Sequence, residues 1–306
     1  MTTDITVHAT RPADVRQLGQ LCASALPFDR HHARMLQTLL REPLRVLTAT
    51  AGNEFVGVCI LSADRYDRPD VADGGDGPAG FVDLLAVTPA WHGEGIGTRL
   101  LAAAERQLAA TGCTRVQVAG NGPYYAWPGV DVRYIRALAL LEQNGYRRRG
   151  VEMTMSVDLA DAPLDTSADE ARLAYRGITF GRAVPAQRAA LRAALATQWK
   201  SQWLDEIDAA LDSPGGGVEL ATASDGPAGF CAYGGNRPGE VGPLGASAHH
   251  RGQGIGTVLI RRALRAVAAS GYPRGEIVWA GPVAMFARLL DASVSRVFIS
   301  YHKPLR

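Results

Sequence analysis

Cysteine is scarce and scattered: Cys22, Cys59, Cys113 and Cys231 are the only four in 306 residues, with no C-x-x-C pair among them. That spacing gives neither a zinc site nor a disulfide framework, and the four read as reduced, buried thiols. An excess of charge of one sign is missing as well. With 32 basic and 30 acidic side chains the net charge is +2, and no basic stripe of the kind that grips nucleic acid is present. No apolar run is long enough to span a bilayer, and MTTDITVHAT lacks the charged and apolar regions of a signal peptide. A cytoplasmic protein is expected, with neither nucleic acid nor membrane as partner. What is plentiful is hydrophobic residues, 47%, and glycine, 34 of them. Such a chain can fill two ordinary domains, each with its own core.

The glycines are patterned. AWHGEGIGTRLL at 90–101 sets three of them at alternate positions before a helix-like run, and HHRGQGIGTVLI at 249–260 does so again. The repeat extends further. ITVHATRPAD at 5–14 matches ITFGRAVPAQ at 178–187 with Pro12 over Pro185, and VGVC at 56–59 matches AGFC at 228–231, an offset of 172; the glycine loops lie 159 apart. The second copy has therefore lost about a dozen residues where the first has ADRYDRPDVADGGDGPAG, a surface loop or flap. GPAGF also occurs twice, at 77–81 and 226–230, in a register that agrees with neither offset and is set aside as coincidence.

Periodicity predicts, for the first copy, a strand over 5–9, helices from about Pro12 and over 30–40, and strands over 46–51, 55–62 and 81–87. A strong amphipathic helix over 96–110 ends at Gly112, followed by a strand over 115–119, a helix over 132–143 and a strand over 151–159. The order is βααβββαβαβ, and the second copy runs the same way from Ile178. The expected domains are 1–159 and 177–306, joined by a polar linker at 160–176.

A glycine triplet between a strand and a helix suits one task, bringing backbone N–H groups close to an anion. The first amides of a helix have no intrahelical acceptors, and the helix dipole adds positive charge there. A Walker loop would need Gly-Lys-Ser/Thr, and a dinucleotide fingerprint would need G-x-G-x-x-G with an acidic residue about twenty positions on. Gly93, Gly95 and Gly97 fit neither.

At this point VTPAWHGEGIGTRLLAAAERQLAATG and ASAHHRGQGIGTVLIRRALRAVAASG resemble the acyl-CoA-binding signature of the GNAT superfamily of N-acetyltransferases, Arg/Gln-x-x-Gly-x-Gly/Ala after the fourth strand. The order of elements agrees. Arg251, Gly254 and Gly256 follow the pattern literally, whereas His92 stands where Arg or Gln is usual, ahead of Gly95 and Gly97. The resemblance covers nearly the whole chain and implies an α/β (α+β) fold of two tandem GNAT domains, each a mixed, mostly antiparallel sheet flanked by helices. A tandem arrangement of this kind also occurs in mycothiol synthase.

The resemblance implies acetyl-CoA, or another acyl-CoA, as cofactor. Its pyrophosphate would lie on His92, Gly93, Glu94, Gly95, Ile96, Gly97 and Thr98, and its pantetheine beside Leu85, Ala86 and Val87, with Asn121 in the same set. The second copy offers Leu244, Gly245 and Ala246 and the loop Arg251, Gly252, Gln253, Gly254, Ile255, Gly256 and Thr257. Arg99, Arg261 and Arg262 lie on the helices that follow and read chiefly as solvated faces.

Acyl transfer to an amine needs a base, because an alkyl amine with a pKa near 10 is mostly protonated at neutral pH; the thiolate leaves tolerably unaided. The family often places that base on the fourth strand, here Asp83, an acid set among Phe81, Val82, Leu84 and Leu85. Its counterpart is Gly242, next to Pro243. The family's usual tyrosine acid is replaced by Leu141 in the first copy and Phe286 in the second, which leaves Tyr134 as the substitute. The first domain is the expected catalyst, and the second binds coenzyme A without turnover or walls the acceptor pocket.

Tyr124, Tyr125 and Trp127, within NGPYYAWPGVD, are candidates for acceptor contact or for plain packing, as are Trp199, Trp203, His31 and His32. The expected activity is N-acylation of a small-molecule primary amine by a monomer or homodimer. The alternatives are a non-catalytic coenzyme A sensor or scaffold, and acyl transfer to oxygen or sulfur.

Overall fold

The computed structural model describes residues 5–10, 15–40, 45–64, 77–122, 125–199 and 201–305. The core of the expected flap (65–76), Pro12 and Tyr124 lie outside these. Contacts divide the chain into two units, 1–152 together with 298–306, and 153–297.

In the first unit the order is β1 (Ile5–Thr10), α1 (Val15–Ala25), α2 (His32–Leu39), β2 (Arg45–Ala51), β3 (Glu54–Ala63), β4 (Ala79–Val87), α3 (Ile96–Ala109), β5 (Arg115–Val118), β6 (Val130–Asp131), α4 (Ile135–Gln143) and the start of β7 (Arg147–Asp158). Strands β1 to β4 form an antiparallel run, and β5 joins β4 in parallel. The run VGVCIL in β3 is buried on both faces, so it shows no polar alternation. Val58 and Ile60 pack toward α1 and α2, while Cys59 and Leu61 pack toward α3. Helix α3 closes that second face with Ile96, Leu100, Leu101, Ala104 and Leu108, an apolar stripe at helical spacing.

The second unit continues with α5 (Ser167–Ala174), β8 (Thr179–Arg182), α6 (Arg188–Ala196), α7 (Ser201–Asp212), β9 (Gly217–Ala223), β10 (Gly226–Tyr233), β11 (Glu240–Ala246), α8 (Ile255–Ala269), β12 (Arg274–Ile277), α9 (Val283–Leu290) and β13 (Ser293–Pro304). Again the strands are antiparallel up to β11, with β12 parallel to it. The shortened connection is a six-residue turn at 234–239. Among the described residues the chain thus forms a mixed, mostly antiparallel α/β fold with nine α-helices, and no helix is long and apolar enough to cross a membrane.

The last strand of each unit comes from the end of the other repeat. Beside β5 lie Tyr301–Pro304 of β13, with Tyr301 opposite Val118. Beside β12 lie Met155–Asp158 of β7, with Arg274 opposite Asp158. Within the segment read as a linker, 160–176, residues 167–174 form α5, which buries Leu173 and packs on α8.

Candidate active site

The parallel ladder of β4 and β5 ends at Val82, opposite Val118, with one further bond from the Ala119 N–H to the Val82 carbonyl (2.9 Å). Among the described residues, strand β4 runs on to Val87 against β3 alone. Every other N–H and C=O of that stretch consequently faces an open edge. The edge carries Leu85, Ala86 and Val87, the residues expected beside pantetheine.

At the same point β4 is bulged. Ile60 pairs with Leu84 and Leu61 with Val82, so Asp83 is the extra residue of the pair. The packing agrees. Val82 belongs to the α3 side and Leu84 to the α1/α2 side, although residues two apart on a regular strand share a face. Asp83 is only 5% exposed, and among the described residues neither carboxylate oxygen has a partner at normal hydrogen-bond geometry. Burial pushes its pKa from the ordinary 3.8 up to about 7; the Ser62 hydroxyl, which also accepts from the Asn121 amide (2.7 Å), pulls the other way. Asn121 thus braces Ser62 and the Ala63 carbonyl.

The glycine loop follows the end of β4. The His92 ring turns back to the Val87 carbonyl through Nε2 (2.9 Å). Gly95 caps α3 in the left-handed region with φ +72°, without a side-chain cap, after Gly93 at φ +93°. These two positions favour glycine for conformation. Gly97 serves packing instead, since a Cβ there would stand 2.7 Å from Leu140 Cδ2 of α4. The first amides of α3 are left to face the loop, the arrangement that suits phosphate.

One cavity of about 760 Å³ joins these features. It is lined by Asp83, Leu85–Val87, His92, Gly93, Gly95–Thr98 and Tyr134; Glu94 and Asn121 lie outside its lining. Tyr134 does not sit within α4 as the sequence suggested but just before it. Asp131 accepts from the Arg133 N–H and holds its guanidinium through two bonds of 2.9 and 2.7 Å, a turn that delays the helix to Ile135. Leu141, at the place of the family's tyrosine, is buried. Asp29 was not foreseen. Between α1 and α2, it accepts from the Trp127 indole (2.7 Å) and from the Tyr134 hydroxyl (2.6 Å). Tyr125 is buried, His31 takes φ +59° at the start of α2, and the His32 ring bonds the Leu26 carbonyl at 3.2 Å.

The second unit repeats the frame. The β11–β12 ladder ends at Val241, opposite Ile277, and β11 is irregular over Gly242 and Pro243. Gly254 caps α8 at φ +93° after Gly252 at +76°. The Gln253 carbonyl accepts from Arg172 of α5 through both terminal nitrogens (3.2 Å each). Arg262 is held by Glu219 (2.7 Å) and Glu170 (3.0 Å), and Arg99 bonds the Ile5 carbonyl at 3.0 Å; neither is merely a solvated helix residue. Trp199 and Trp203 stand edge-on to Phe230, with ring centres 5.3 and 6.0 Å away. A Cβ at Gly245 would come within 2.5 Å of Trp199 Nε1, so an indole covers this strand where Ala86 stands in the first unit.

A sequence model of the acetyltransferase (GNAT) family matches residues 13–146 and 186–282, the greater part of both halves. The chain belongs to the GNAT family. No curated protein matches it. Solved GNAT structures do. A glucosamine N-acetyltransferase region of a fungal multi-domain GH3 β-N-acetylglucosaminidase superposes with a TM-score of 0.79 at 18% identity, over 99% of this chain and 38% of that one. The chain thus spans well under half the length of that relative. A tandem GNAT protein from the clavulanic acid biosynthesis pathway gives 0.69 at 16% identity over 99% of both chains. A GCN5-related N-acetyltransferase from Sphaerobacter thermophilus gives 0.68 at 19%, over 99% and 96%. At such identities the likeness is one of fold. The family is one of acetyltransferases, broadly of acyl transfer from an acyl-CoA, and the α3 loop with the open β4 edge presents backbone donors of the kind such a cofactor would need.

Proposed function

We propose that the first unit acetylates the primary amine of a small molecule, with Asp83 as the general base. The observation that carries this reading is the bulge, which sets a buried carboxyl into the cavity beside the glycine loop and the open strand edge. When bound, acetyl-CoA supplies the activated acetyl group. The amides of Gly93–Thr98 would hold its phosphates, and the β4 edge at Leu85–Val87 would hold its pantetheine. Asp83 takes the proton that the ammonium must lose before it can attack, and a pKa of about 7 suits that task at neutral pH. The departing thiolate takes its proton from solvent.

The second unit fits a non-catalytic role better. Gly242 has no side chain to act as a base, and Trp199 covers the strand at Gly245. A coenzyme A-binding or scaffolding part is the reading this supports for residues 153–297.

Thiol release from acetyl-CoA, measured with a panel of small amines that includes glucosamine, tests the proposal on wild type and Asp83→Asn. The variant is expected to lose about a hundredfold or more in kcat/KM. Equal turnover by the two would remove Asp83 from the mechanism.

A further inference from the structure

Two aromatic side chains of the first unit's cavity, Trp127 and Tyr134, are tied to a single carboxylate. Asp29 is 8% exposed and receives both, although they lie 98 and 105 residues further along the chain. Its neighbours Leu26 and Pro27 line the same cavity. Phe28 packs on Tyr134 with centres 5.3 Å apart, and its backbone N–H donates to the Tyr134 oxygen at 3.3 Å. Arg133 lies over the Phe28 ring at 4.7 Å and is held in turn by Asp131. The connection between α1 and α2 and the segment 127–134 are thereby locked into one wall of the cavity.

A tyrosine hydroxyl has one proton, and Tyr134 gives its proton to Asp29 across 2.6 Å. An ionised acceptor makes this a strong, short bond, and it polarises the phenol oxygen toward greater negative charge. Such an oxygen suits an N–H donor and is poorly suited to surrendering a proton.

Resting on the acetyltransferase reading above, we propose that Asp29 is a positioning residue that turns Tyr134 into the hydrogen-bond acceptor for the substrate's ammonium group, in place of a proton donor to the thiolate. The acceptor class is then a primary alkylammonium, bound through Tyr134 beside Trp127 and deprotonated by Asp83. Asp83 takes the first proton of the ammonium, the amide bond forms as the C–S bond breaks, the nitrogen's second proton leaves to solvent, and the thiolate is protonated by solvent.

The test uses the full chain and 2-phenylethylamine, spermidine and glucosamine as probes, with wild type, Tyr134→Phe, Asp29→Asn and the double variant. Phenylalanine removes only the oxygen. Asparagine reverses the bond, because its amide donates to Tyr134 and turns the phenol proton toward the cavity. Thiol release should show KM for the amine raised about tenfold or more by either change, the range expected for a lost hydrogen bond to a charged group. The loss should fall on KM and not on kcat, and the double variant should match Tyr134→Phe alone, since Asp29 acts through Tyr134. Binding of the same amines to the coenzyme A-saturated protein, by calorimetry, should weaken in parallel.

A fall in kcat of about a hundredfold in Tyr134→Phe with unchanged KM would make Tyr134 the acid and overturn the proposal. So would an Asp29→Asn variant with wild-type KM, or additive losses in the double variant. Amine binding without turnover by the wild type would count against the acetyltransferase reading alone, and calorimetry of the variants would still decide the role of Asp29. The absence of binding by all three amines would overturn it.

Discussion

Replacing Asp83 by Asn should make the protein more stable as it makes it inactive, and the gain should depend on pH. The carboxyl is 5% exposed, and its pKa stands at about 7 against 3.8 for an ordinary aspartate. Because the folded value is the higher, the native state holds the proton more tightly than the unfolded chain does. Stability that Asp83 contributes is therefore fully present below about pH 4 and is lost progressively as pH rises to about 7. At 1.36 kcal/mol per pKa unit the gap corresponds to about 4 kcal/mol, an order-of-magnitude figure. Between about pH 5 and about pH 9 the part still to be lost is about 3 kcal/mol. Asparagine has the same shape and no charge to desolvate, and whatever its buried amide costs is the same at both pH values. Urea denaturation of both proteins at the two pH values should show the variant's advantage growing by about that amount. The activity should move the other way, with wild-type kcat/KM climbing from acid pH to about 7 and the variant lacking that limb. A stability difference that does not change with pH would show that the carboxyl is not held out of water, and the case for a poised base would fall with it.

The two glycine loops should respond unequally. Gly95→Ala forces an L-residue to φ +72° at the cap of α3, a strain of about 1–2 kcal/mol, and KM for acetyl-CoA should rise about fivefold or more; Gly254→Ala, strained in the same way at +93°, should leave turnover intact. An equal loss in both variants would place chemistry in both units. Removing residues 299–306 strips β5 of its partners Tyr301–Pro304 and deletes the Lys303–Glu105 ion pair. The first unit's thermal transition should drop or vanish and acetyl transfer should be lost, whereas an unchanged first transition would refute the assignment of that strand to the first unit.

Much of the fold is written locally and could be read from the sequence. Helix α3 announces itself through Ile96, Leu100, Leu101, Ala104 and Leu108, and its start through glycines that take positive φ. The order of elements and the shortened β10–β11 turn follow from the same kind of signal. The exchange of final strands does not. Strands β7 and β13 close their repeats in the same way, and nothing in either stretch says which sheet it will join; only the pairing of Tyr301 with Val118 and of Arg274 with Asp158 decides it. The start of α4 was hidden for a different reason, since the Asp131 carboxylate captures the Arg133 N–H and a periodic pattern cannot register that side-chain bond.

The site shows the same division between local and distant signals. Asp83 was legible as an acid out of place among apolar residues, but the bulge that aims it depends on how β4 pairs with Ile60 and Leu61, more than twenty residues earlier. Tyr134 was legible as a tyrosine near the right helix, while the fate of its proton is set by Asp29 from a connection that reads as an ordinary turn. In the second unit the loop RGQGIGT keeps the more regular signature, yet Trp199 reaches Gly245 from 46 positions away and covers the strand. A glycine loop needs only a few consecutive residues, so the same loop, with positive-φ glycines ahead of a helix, recurs in both halves and can be read in both. A reaction centre needs a base, an open strand edge and an acceptor wall brought together from distant segments, and only the first unit combines Asp83, Leu85–Val87, Trp127 and Tyr134 around one described cavity. On the proposed function, the quality of the glycine motif is a poor guide to which half turns over, and the side chains that face the strand ahead of it are the better one.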